Sequence, residues 1–159
     1  MQNNDEVRWL SADEQASWRS YLQGVARLTD ALNRQMERDS GLSLNEYEVL
    51  VRLSEAPDHT SRMSDLAASL VYSRSRLTHT VRRLEAQGLV ERRDCADDRR
   101  GVNCVMTAAG YGFLVRTAPG HVHAVRELMV DRLTGPELRA LGAAMSKVAP
   151  DADDAPSPG

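Results

Sequence analysis

The chain has 159 residues, 42% of them hydrophobic, which suits one globular domain with a core of ordinary size. Its first eight residues are polar and no stretch approaches the roughly 20 uninterrupted apolar residues of a membrane span, so a soluble, cytoplasmic protein is expected, with no membrane partner. Two cysteines, Cys95 and Cys104, form no CxxC pair and argue against a disulfide framework or a structural zinc site, while the net charge of −3 argues against nucleic acid unless the charge is segregated.

Ser11 and Glu14 have the spacing of a capping box, and Trp18, Tyr21, Leu22, Val25, Leu28, Leu32 and Met36 follow at helical intervals until Gly41. That predicts a long first helix with one apolar stripe. Ser43 and Glu46 repeat the capping signature ahead of Leu44, Tyr47, Leu50 and Val51, and Pro57 stops this second helix. A polar connection over residues 58–62 leads to a short third helix marked by Met63, Leu66, Ala67 and Leu70, with Ser64 as its expected N-cap. Ser73 caps a fourth, whose Leu77, Val81 and Leu84 share one face and whose end is marked by Gly88. Two short helices joined by a tight turn form a helix-turn-helix pattern.

Residues 89–93 and 102–106 read as two strands around a charged tip, a β-hairpin wing. Thr107 caps a helix carrying Tyr111, Leu114, Val122, Val125 and Leu128, expected to kink or break at Pro119-Gly120, and Thr134 with Glu137 opens a last helix. The tail, 149–159, is acidic and proline-containing and reads as disordered. The fold class is therefore mainly α with a small β-hairpin wing. Residues 1–40 form an N-terminal helix with a share in dimerisation, 41–106 the winged helix-turn-helix, and 107–148 C-terminal dimerisation helices.

The charge is segregated. Residues 73–83 hold Arg74, Arg76, Arg82 and Arg83, one histidine and no acid, whereas Asp151, Asp153 and Asp154 crowd the tail. Nineteen of the twenty cationic side chains are arginine, a bias that a GC-rich genome also produces. With Leu77, Val81 and Leu84 turned inward, Arg74, Ser75, Thr78, His79 and Arg82 are left outward, a face suited to the major groove of double-stranded DNA. Ser73 to His79 is the base-reading end, with Arg76 among its residues, and Arg82 with Arg83 suits phosphate. In the wing, Asp98 can orient Arg100, and Arg99 and Arg100 can enter a narrow minor groove.

The run SRSRLTHTVRRLEAQGLVER, followed by Asp98-Arg-Arg100 and by Met106-Thr107-Ala-Ala-Gly110, resembles the SRSxLTxxVxxLExxGLVxR stretch, DxR wing and LTxxG motif of the MarR family of bacterial regulators. The resemblance covers most of the chain, from about Trp18 to Val148, with methionine at 106 where leucine is usual. It implies a mainly helical triangular homodimer on a palindromic operator, with Arg100 as the minor-groove residue. It also implies release from DNA by a small phenolic or anionic effector, or by cysteine oxidation. Trp18, Arg19, Tyr47 and Tyr111 are the effector-pocket candidates, around a crevice between the first, second and fifth helices. Oxidation sensing is disfavoured, since the family's sensing cysteine stands near the N-terminus and this chain has none there; Cys95, near Arg92 and Arg93, is the one thiol to consider, and Cys104 reads as a buried small hydrophobe. The four histidines are not grouped as metal ligands, and no GxSxG, HExxH or P-loop motif supplies a catalytic residue. The rival to a sequence-specific regulator is an architectural or protein-interaction winged helix.

Overall fold

The computed structural model describes residues 7–95 and 101–148. Asp98, Arg99 and Arg100 at the wing tip, and the acidic tail, lie outside the described residues.

The first helix, α1 (Ala12–Ser40), starts at a complete capping box: Ser11 N donates to Glu14 Oε2 at 2.8 Å and Glu14 N to Ser11 Oγ at 3.2 Å. These bonds satisfy backbone donors that have no partner inside the helix. The second, α2 (Leu44–Glu55), repeats the device with Ser43 and Glu46. A single 3-10 turn over Pro57–His59 follows, and then a strand, β1 (Thr60–Arg62), where sequence patterning suggested only a polar connection. Its three residues carry no hydrophobic alternation; they become a strand because they pair with β3 (Val102–Met106), Thr60 against Val105 and Arg62 against Asn103.

That pairing also moves the start of α3 (Met63–Ser69). The N-cap is Arg62 rather than Ser64, because the chain passes straight from strand to helix; Ser64 lies in the first turn, bonded to Asp65. At the end of α3, Val71 N donates to the Ala68 carbonyl and Tyr72 N to the Ala67 carbonyl, with Val71 in the left-handed region at φ 54°. This is the helix-ending arrangement usually built on glycine, here imposed on an exposed β-branched residue. The fourth helix, α4 (Arg74–Ala86), is capped by Ser73 and closed the same way at Gly88, φ 71°, where Leu89 N reaches the Leu84 carbonyl at 3.0 Å. Leu89 thus completes the helix end, and β2 runs Val90–Asp94, one residue later at both ends than patterning suggested.

The strands form an antiparallel sheet in the order β1-β3-β2. After Thr107, whose Oγ1 accepts from Gly110 N at 3.0 Å, α5 (Ala108–Leu128) runs unbroken through Pro119, so the expected break does not occur there. Proline deletes one N–H, and the carbonyl it would have served belongs to Val115, an exposed residue within reach of water. The chain instead leaves helical geometry at Met129, makes a 3-10 turn over Val130–Arg132, and enters α6 (Gly135–Val148) through a bonded Thr134/Glu137 box.

The core belongs to the middle of the chain. Met36, Leu42, Leu50, Leu53, Leu66, Leu77, Val81, Leu84, Val90 and Cys104 are almost wholly buried and join the end of α1 to α2, α3, α4 and the sheet. By contrast only Gln35 and Met36 of α1 are buried, and no residue of α6 is.

The first turn of α5 lies so close to the sheet that a Cβ on Gly110 would stand 2.1 Å from the Leu89 carbonyl oxygen and 2.9 Å from the Met106 side chain. Backbone cannot yield as a flexible side chain can. Gly110→Ala is therefore expected to lower stability by about 3 kcal/mol, read from urea unfolding midpoints.

Candidate nucleic-acid interface

The inward side of α4 is Leu77, Thr80, Val81 and Leu84, all buried, as the intervals of four and three residues required. Arg74, Ser75, Arg76, His79, Arg82 and Arg83 are exposed and Thr78 is half-buried. Ser73 Oγ accepts from Arg76 N at 3.2 Å and lies 3.2 Å from Ser75 Oγ, while Thr78 Oγ1 donates to the Arg74 carbonyl at 2.8 Å.

The four arginines separate into two kinds. Arg83 Nε donates to Glu46 Oε1 at 3.1 Å, and Arg76 Nη2 donates to Asn45 Oδ1 at 2.8 Å while its guanidinium stacks 3.9 Å over the Tyr72 ring. Both are tied toward the start of α2. The side chains of Arg74 and Arg82 make no hydrogen bond or ion pair with any described residue. Arg74 and Thr78 line a groove of about 330 Å³ between α4 and the base of the wing, together with Arg62, Ser64, Gly101 and Val102.

The wing is docked on the C-terminal end of α4. Arg92 gives Glu85 two side-chain bonds, at 3.1 and 2.8 Å, and a backbone bond at 3.2 Å, and these hold the Glu85 carboxyl below its ordinary value. The strands are tied once more by Cys95 N on the Gly101 carbonyl at 3.0 Å, with Cys95 Sγ on Asn103 Oδ1 at 3.0 Å. Cys95 is buried among these groups. Cys104 is fully buried, and desolvation pushes its thiol up to about 12, so it is the small core residue its place in a strand suggested.

The four effector-pocket candidates do not meet within one chain. Trp18 stacks on Tyr21, ring centroids 5.9 Å apart, on the exposed half of α1, and Arg19 bonds Gln15; Tyr47 lies 4.7 Å from the His121 ring, and Tyr111 stacks on His59 at 5.1 Å. The candidates stand on three helices, α1, α2 and α5, and packing gave each different neighbours. A crevice of about 600 Å³ runs along α2 and the end of α3, with Tyr47, Glu48, Arg52 and Val71 among its walls and Leu32 of α1 and His121 of α5 at its edges; of the four candidates it holds Tyr47 alone. His121, Glu48 and Tyr72 are the functional candidates that sequence missed. Each looked like an unremarkable helix or turn residue, because its partners lie far away in the chain. Among the described residues no group of three or more His, Cys, Asp and Glu could hold a metal, and no helix is long and apolar enough to cross a membrane.

The profile of the MarR family matches residues 42–102, the stretch from α2 to the start of β3. Over nearly the whole chain, the structure superposes with a TM-score of 0.87 on Sco3205, a MarR family transcriptional regulator from Streptomyces coelicolor solved in complex with DNA; the two are 48% identical, and the match covers 91% of each chain. This chain belongs to the MarR family. A second family member, AbsC from Streptomyces coelicolor, is 39% identical with a TM-score of 0.84, over 89% of this chain and 95% of that one. The transcriptional repressor MprA of Escherichia coli is 28% identical over 93 residues, 58% of this chain and 53% of MprA. The MarR-family chain thus spans about half the length of the curated relatives it matches. Those relatives are named as repressors and regulators, not as enzymes.

In this MarR-family chain His121 has a buried Nδ1 without a hydrogen-bond partner, and burial lowers its pKa against the opposing pull of the Glu48 charge. The unfolded chain then binds the imidazole proton more readily than the native one. Stability contributed by neutral His121 is present above the ordinary histidine value and is lost as pH falls through it toward the depressed native value. Urea midpoints should accordingly fall between about pH 7 and pH 5, and His121→Phe, which keeps a ring against Tyr47, should flatten that part of the profile.

Proposed function

We propose that the chain is a dimeric transcriptional regulator that reads a palindromic operator, with α4 in the major groove and Arg100 of the wing in the minor groove. The observation that carries this reading is the outward face of α4: Arg74, Ser75, Thr78, His79 and Arg82, a face without a carboxylate at the N-terminal end of a helix fixed by a buried core. The DNA complex of Sco3205, 48% identical, supports it. Arg74 and Arg76 are base-reading arginines, Arg74 at the free edge of that face and Arg76 tied to α2, while Arg82 and Arg83 suit phosphate. Asp98, Arg99 and Arg100 form the DxR motif of the wing, and Arg100 is its minor-groove residue by the family resemblance.

Dimerisation is supported by the terminal helices. Trp18, Tyr21, Leu22 and Val25 of α1 are 39–51% exposed, and grooves of about 540 and 950 Å³ run between α1 and α6 over residues such as Leu28, Leu138, Leu141 and Met145. Apolar surface on this scale calls for a partner, and a two-fold pair would set two recognition helices about one DNA turn apart. Leu22→Asp should give a monomer by sedimentation and lose operator binding.

A small effector in the crevice along α2 is the release signal in this reading. Its walls hold Glu48 and Glu55 against one guanidinium, Arg52, already bonded to Glu55 at 3.2 Å, so a neutral phenol suits it better than an anion.

Selection of bound DNA from a random pool tests the whole reading. An inverted repeat with half-sites about one turn apart is expected; salt-dependent binding without enrichment would instead mark an architectural winged helix. On the selected operator, Arg74→Ala should cost about 1–3 kcal/mol and relax one base position, whereas Arg82→Ala should weaken all sequences alike and lower the salt slope by about one.

A further inference from the structure

Tyr72 stands between two systems. It is the residue after the strained Val71 and the last before the Ser73 cap, and its backbone N–H, donating to the Ala67 carbonyl at 2.9 Å, fixes it at the end of the α3–α4 turn. Its hydroxyl meets the Glu48 carboxylate and stands 2.9 Å from Asn45 Oδ1. A phenol has a single proton, and the carboxylate is the stronger acceptor; burial and the Glu48 charge push the phenol's pKa upward, so it stays a neutral donor. The ring is thereby fixed in plane, and over its face lies the Arg76 guanidinium, 3.9 Å from the centroid, with Nη2 on Asn45 Oδ1 at 2.8 Å.

We propose that Tyr72 and Asn45 are positioning residues that preset Arg76 as a base-reading group of the recognition helix. The inference rests on the DNA-reading function above. A guanidinium has several in-plane donors; Asn45 takes one and the ring covers one face, so the remaining edge stays exposed and available for a planar acceptor pair such as that of guanine. Stacking on an aromatic ring and hydrogen bonding along one edge are both properties of arginine that lysine lacks. The side chain of Arg74 has no such support among the described residues. The freedom Arg76 would lose on binding is already lost in the free protein, which favours sharp discrimination at its base pair.

The test measures affinity for the selected operator, for operators substituted singly at each position, and for random duplex. It compares wild type, Arg76→Ala, Tyr72→Leu and the double variant. Arg76→Ala should weaken operator binding roughly tenfold and flatten preference at one base pair of each half-site. Tyr72→Leu, which keeps the Arg76 charge but removes its platform, should flatten the same base pair, leave random-duplex affinity within about twofold, and add little to Arg76→Ala in the double variant. Asn45→Ala should give a smaller loss at that same base pair and serves if Tyr72→Leu lowers the melting temperature. Additive losses, or unchanged preference in both Tyr72→Leu and Asn45→Ala, would overturn the inference while the operator reading stands. A wild-type protein that enriches no sequence overturns the DNA-reading function and this inference with it.

Discussion

One buried carboxylate organises the attachment of α4. Glu46 is only 1% exposed, and its carboxylate joins two parts of the structure. Its Oε2 accepts from Ser43 N at 2.8 Å and from Ser43 Oγ at 2.6 Å, which closes the start of α2, and its Oε1 accepts from Arg83 Nε at 3.1 Å, which fastens the second half of α4. A charge taken out of water is tolerated only when its lone pairs are met in this way, so the position of α4 follows from the same group that begins α2. About two turns earlier on α4, Arg76 reaches Asn45, the neighbour of Glu46, and the helix is held at two points along its length.

Between those two points the apolar side of α4 sits on the core, and the outer side carries the arginines. Arginine content alone does not describe this face. Two of the four arginine side chains spend a hydrogen bond on α2 and two do not. The base of the wing is attached to the same helix through Arg92 and Glu85.

The terminal helices follow the opposite rule. A 29-residue helix that buries two side chains, and a last helix that buries none, cannot derive their stability from the single chain's core. Their apolar stripes face outward where a second copy would cover them. The crevice runs along α2 and the end of α3, and its wall residue Glu48 is also the acceptor for Tyr72. Core, crevice and reading face therefore share side chains rather than merely adjoin.

Much of this was legible in the sequence because it is local. Three capping boxes, the Ser73 and Thr107 caps, the stop at Gly88 and the inward triplet Leu77, Val81 and Leu84 are set by residues within a few positions of one another, where periodicity and hydrogen-bond reach suffice. What depended on distant contacts was not legible. β1 is a strand only because β3 lies beside it; α5 continues through Pro119, where the carbonyl left without a partner belongs to an exposed residue, Val115; and Val71 takes a conformation usual for glycine at the turn between α3 and α4. The pairing of Arg76 with Asn45 and Tyr72, and of Arg83 with Glu46, spans 31 and 37 residues of chain for the two hydrogen bonds. Sequence thus determined which helix carries the arginines and which side of it faces out. Only the tertiary structure decided which arginines are already held, since that depends on the first turn of α2 coming to rest against α4.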